Sequence, residues 1–82
     1  MESPAKIPIH NLKLNQTGTV AELNCTGVFR RRMMDLGIIP GTKITLLFES
    51  PYRDPKAYLI RGAVVALRNN DGKDVLVLTN NE

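Results

Sequence analysis

Side chains able to do chemistry are few in this sequence and stand far apart. His10 is the only histidine and Cys25 the only cysteine. General acid–base or nucleophilic catalysis needs a base within hydrogen-bond reach of the group it activates. His10 lies in a lead-in segment, while Glu22, Asp35, Glu49, Asp54, Asp71 and Asp74 are spread singly, as solvated faces, caps and turns are. No catalytic residue is assigned, and the chain is not expected to be an enzyme. A structural zinc site wants four clustered Cys or His ligands, so no metal ligand and no cofactor is assigned either. Weak transition-metal binding through Cys25, Glu22, Asp35 and His10, within one chain or across a dimer, stays as the alternative. Gly37 and Gly41 lack the Lys and the Ser or Thr that would complete a phosphate-binding loop.

The strongest cluster of charge is Arg30-Arg31-Arg32, in a chain with eleven Lys and Arg against eight Asp and Glu, net +3. A modest basic excess permits an acidic partner without demanding one. Sites for single-stranded nucleic acid interleave basic residues with stacking aromatics. With Phe29 and Phe48 assigned to the core, only Tyr52 and Tyr58 remain, so no nucleic-acid partner is expected. The arginine block reads as one charged face of a helix.

Eighty-two residues, 43% of them apolar, suit a single domain, placed at residues 9–79 with tails at 1–8 and 80–82. One cysteine makes no internal disulfide, which favours a reducing compartment. No stretch approaches the roughly 20 apolar residues of a membrane span, and the first residues hold no apolar signal core. A cytoplasmic location is expected.

Within the domain, Asn15–Gly18 is a turn cluster and Thr19–Leu23 a strand. Thr26 offers an N-cap to a helix over Val28–Leu36, with Phe29, Met33 and Leu36 on one face and Gly37 just past its end. Pro40-Gly41 suits the centre of a type II turn. Lys43–Glu49 alternates, with Ile44, Leu46 and Phe48 facing inward. The proline-marked loop Ser50–Pro55 leads to strands over Lys56–Arg61 and Ala63–Arg68, the tight-turn cluster Asn69–Gly72, and a last strand over Asp74–Thr79. The expected fold is mainly β: a small SH3-like, partly closed antiparallel barrel of about five strands with one short α-helix after the first strand. An α+β sandwich is its main competitor.

From Phe29 to Ile44 the chain reads FRRRMMDLGIIPGTKI, and from Ser50 to Arg68 SPYRDPKAYLIRGAVVALR. Both blocks resemble the FeoA family, small cytoplasmic accessory proteins of bacterial ferrous iron transport, and the order of elements agrees from Ile9 to Leu78. The matching positions are mostly structural: Leu36-Gly37 and Pro40-Gly41 at the helix exit and turn, Arg61-Gly62 at a strand end, Leu67-Arg68 before the last hairpin. Asn15 stands where many relatives place glycine, and asparagine tolerates a left-handed backbone better than most residues. The resemblance implies an SH3-like barrel that acts as an interaction or regulatory module for FeoB, the ferrous iron transporter whose cytosolic part is a GTP-binding domain. The candidate partner-binding residues for such docking are Arg30, Arg31 and Arg32 with Arg61 and Arg68, since guanidinium groups suit planar polar contacts at protein surfaces. An exposed strand edge could also pair two copies into a homodimer.

Overall fold

A computed structural model describes residues 5–79. Strand β1 (Ala5–Pro8) runs into a single 3-10 turn at Ile9–Asn11, then come β2 (Thr17–Leu23), α1 (Gly27–Asp35), β3 (Lys43–Glu49), β4 (Lys56–Ile60), β5 (Ala63–Leu67), the helical turn α2 (Asn69–Gly72) and β6 (Val75–Thr79). The six strands form one antiparallel sheet in the order β1-β6-β2-β3-β4-β5. The mainly β reading holds, and the helix follows the strand read as the first, which is the second of the structure.

The fold departs from expectation in the number of strands. Ala5–Pro8, assigned to the tail before residue 9, pairs with β6 from Ala5↔Thr79 to Pro8↔Leu76. Four residues carry too little alternation to announce a strand, and the pairing exists because β6 offers them an edge. The rest of the tail assignments, residues 1–4 and 80–82, lie outside the described residues. Thr17 and Gly18, expected in a turn, extend β2 and pair with Thr45 and Ile44. Asn69–Gly72, expected as a tight turn, is a turn of helix in which the N–H groups of Asp71 and Gly72 donate to Arg68 O at 3.0 and 3.2 Å.

The core collects Ile9, Val20, Met33, Ile38, Ile44, Leu46, Tyr58, Ile60, Leu67, Val75 and Val77, each 2% exposed or less. Their burial is the main favourable term in folding. Ile44 and Leu46 face inward as the alternation predicted, but Phe48 does not: it is 59% exposed. A bulge falls between Leu46↔Tyr58 and Phe48↔Ala57, and the extra residue turns Phe48 to the outer face. Phe29, also assigned to the core, is 49% exposed. On α1 the buried position is Met33, with Leu36 half-buried beside it.

The helix ends as the sequence predicts. Ile38 N–H donates to Met33 O at 3.0 Å and Gly37 N–H to Met34 O at 2.9 Å, the paired bonds of a Schellman exit, with Gly37 at φ 89°. Met33 and Ile38, which flank the exit, are both fully buried. A Cβ on Gly37 would stand 2.9 Å from Cδ of Arg61, so the arginine stem lies against the bare glycine. Pro40-Gly41 forms the type II turn, with Gly41 at φ 95° and Thr42 N–H donating to Ile39 O at 3.0 Å. Gly41 N–H then donates to Val20 O, and Val20 N–H to Thr42 O, both at 2.8 Å, which docks the turn on β2. Asn15 adopts φ 66°, the left-handed conformation anticipated for it.

Lys56 is buried, and its ammonium is satisfied: Nζ donates to Arg53 O at 2.8 Å and Asn69 Oδ1 at 3.0 Å, with Glu49 at 3.9 Å. Asn69 in turn donates its backbone N–H to Asp54 and its side-chain amide to Arg53 O. This network ties the Ser50–Pro55 loop to α2. His10 lies beside it. Burial first, and the Lys56 charge second, hold its imidazole below the ordinary value of 6.5.

Two outcomes are expected. Gly37→Ala should lose about 1–2 kcal/mol in urea unfolding, from the left-handed backbone alone. Adding Arg61→Ala should recover only the steric part, and unchanged stability would refute this account of the exit. For His10, the unfolded chain binds more protons than the fold once the pH falls below about 6.5. The contribution is therefore present above that pH and lost as it drops through the lowered folded value. His10→Gln should flatten the fall in stability as the pH drops below about 6.5, and parallel profiles would refute it.

Candidate functional site

With Met33 turned into the core, α1 must present its other side to solvent. Thr26 sits at the N-cap in an extended conformation, φ −132° and ψ 167°, yet its hydroxyl makes no capping bond. Tertiary packing of Met33 therefore positions the helix more than its cap does. The outward half carries Val28, 82% exposed, together with Arg31, Met34 and Asp35. Ile39 and Pro40 continue the exposed surface beyond the exit. The result is a surface of exposed Val28, Met34 and Ile39 that also carries Asp35 and Arg31.

The five arginines singled out from sequence fall into distinct environments, although all are exposed. Arg30 Nη1 donates to Leu23 O at 2.9 Å, fastening α1 to the end of β2. Arg32 stands 3.7 Å from Asp71 Oδ2 and links α1 to α2. Arg31, between them, makes no ion pair among the described residues. Arg61 lies over Gly37 at the C-terminal end of α1, where the helix dipole favours a cation. Arg68 begins α2 at the other end of β5. Four of the five thus gather at α1 and its exit, and Arg68 stands apart. The exposed apolar members, Val28, Met34 and Ile39, were missed. Their signal was that they fall off the Phe29-Met33-Leu36 face.

The described residues also form two clefts. One, of about 230 Å³, opens between the start of α1 and α2 and is lined by Cys25, Thr26, Phe29, Asp71 and Asp74 among others. The other lies by the 3-10 turn, where His10, Lys13, Glu49, Arg53 and Lys56 converge. The weak metal-binding set named from sequence is not brought together: Cys25 is buried in the first cleft, His10 is in the second, and Asp35 lies exposed on α1. Glu22 is hydrogen-bonded to Lys6, which holds its carboxyl below the usual range. Among the described residues no three His, Cys, Asp or Glu side chains group as a metal site. Nor does any described helix have the length and apolarity to cross a membrane.

Comparison with known proteins agrees with this architecture. The NMR structure of an FeoA-like protein from Clostridium acetobutylicum superimposes with a TM-score of 0.85 at 30% identity, covering 100% of this chain and 93% of that one. An FeoA from Stenotrophomonas maltophilia, described as a procaryotic SH3 domain protein and complexed with zinc, superimposes with a TM-score of 0.74 over 87% of this chain and 88% of that one; at 23% identity it speaks to the fold alone. A fusion of Fe(2+) transport protein A with the Fe(2+) transporter FeoB from Porphyromonas gingivalis is 30% identical over 69 residues, 84% of this chain but 8% of the fusion's length. The model of the FeoA domain matches residues 7–78. With that match over most of its length, and an SH3-like sheet built from the residues that carry it, the chain belongs to the FeoA domain family.

Proposed function

We propose that this protein is a non-enzymatic, cytoplasmic accessory module of ferrous iron transport that docks on the cytosolic portion of a FeoB-type transporter. The observation that carries this reading is the fusion relative, in which a domain similar to this chain is joined covalently to the transporter. Covalent joining raises the effective concentration of two modules that work together. The outer half of α1 supplies suitable chemistry: exposed Val28 and Met34 beside an arginine whose charge is not neutralised within the described fold. Interface cores favour methionine and arginine over lysine and acidic groups. Arg30 and Arg32 serve this surface by anchoring the helix, and Arg31 makes the contact. The module needs no cofactor and takes no nucleic acid as partner.

The test is an amide NMR titration of the labelled chain with the cytosolic portion of the transporter. Shifts should cover Arg31, Met34 and Gly41. Arg31→Glu should weaken binding about tenfold, or 1.4 kcal/mol, with the rest of the spectrum unchanged. Unaltered affinity in this folded variant would remove Arg31 from the interface. Calorimetric titration with ferrous iron or zinc should give no micromolar site, and strong heat there would transfer the role to metal binding.

A further inference from the structure

The two edges of the sheet are built differently. β1 is four residues long and carries Lys6 and Pro8, which are the usual guards against another strand pairing there. β5 is Ala-Val-Val-Ala-Leu, with no charge and no proline. Among the described residues it pairs only with β4, and Ala63, Val64 and Ala66 are exposed.

The turn before β5 settles which of its backbone groups are free. Arg61 at φ 52° and Gly62 at φ 83° form a two-residue turn with both central residues left-handed, closed by Ile60↔Ala63. The closing pair of such a hairpin is hydrogen-bonded, and bonded and non-bonded pairs alternate from there. Tyr58↔Val65 and Lys56↔Leu67 are then bonded as well. The N–H and C=O groups of Val64 and Ala66 point away from β4, and no other described backbone group takes them up. The outer face beside this edge is apolar, with Val64 and Phe48 each 59% exposed and Leu59 36% exposed.

Charge selects the occupant. Arg61, in the turn before β5, and Arg68, just past its end, bracket the strand, and neither has a carboxylate partner among the described residues. A second copy paired antiparallel about Val65 would set Arg68 opposite Gly62 and Arg61 opposite Asn69, placing two arginines together at each end. Like charges so placed oppose pairing. We propose that β5 accepts an extended segment of a different protein, apolar and β-branched in its middle and acidic at both ends, added as a seventh strand. This goes beyond the docking reading and stands for any protein presenting such a segment.

The probe is a synthetic, end-capped peptide of alternating valine and threonine with glutamate at both ends, compared with the same peptide ending in lysine. Titrated into the labelled chain, the acidic peptide should shift β4 and β5 and slow amide exchange at Val64 and Ala66 at least tenfold. The lysine-ended peptide should bind at least tenfold more weakly. Ala66→Pro removes an outward N–H and no bond to β4, and should abolish the slowing at Val64; Arg68→Glu should cost at least tenfold in affinity. Val64→Lys, at an exposed position, replaces Ala66→Pro if that variant does not fold. Equal binding by these variants, equal binding of the two peptides, or no binding of the acidic peptide at millimolar concentration would overturn the proposal. Concentration-dependent shifts at β5 in the chain alone would overturn the choice of occupant in favour of a second copy.

Discussion

A helix leaves its last carbonyls without intrahelical partners, and α1 satisfies them by stepping into a left-handed residue at Gly37. Much of the molecule depends on that step. It lets Met33 and Ile38 enter the core from opposite sides of the exit, and it delivers Pro40-Gly41 to the backbone of β2 at Val20. The absence of a Cβ also leaves the seat on which the Arg61 stem rests. One glycine therefore connects core packing, strand pairing and the placing of a surface cation.

Charge in this small fold is divided between groups that hold it together and groups left for others. Lys56 is taken out of water and compensated by a carbonyl, an amide and a carboxylate, as a buried ammonium requires. Arg30 and Arg32 are spent on fastening α1. Arg31, Arg61 and Arg68 are not neutralised among the described residues. Their charge is displayed at a helix face and at the two ends of one strand. Exposed ion pairs add little to stability, so these arginines have more to offer a partner than the fold.

Apolar surface is divided in the same way. A chain this short buries a limited share of its surface, yet Val28, Met34, Phe48, Val64 and Tyr52 remain substantially exposed. The bulge in β3 places Phe48 on the same outer side of the sheet as Val64 and Leu59, beside the unguarded edge. The guarded edge lies at β1, the strand farthest from it in the sheet order. An asymmetry of this kind directs association to one side of the sheet.

The helix with its left-handed exit, the Pro40-Gly41 turn, the left-handed Asn15 and a break between two strands at Gly62 were all legible in the amino acids. Each depends on backbone preferences of residues within a few positions of one another. The outward position of Phe48, the recruitment of Ala5–Pro8 as a strand and the tying of Arg30 and Arg32 were not legible. The first follows from a register slip against β4, the second from an edge offered by β6, and the third from Leu23 O and Asp71 arriving beside the helix. Those are contacts between segments far apart in the chain, formed only once the core brings them together, so no local pattern records them.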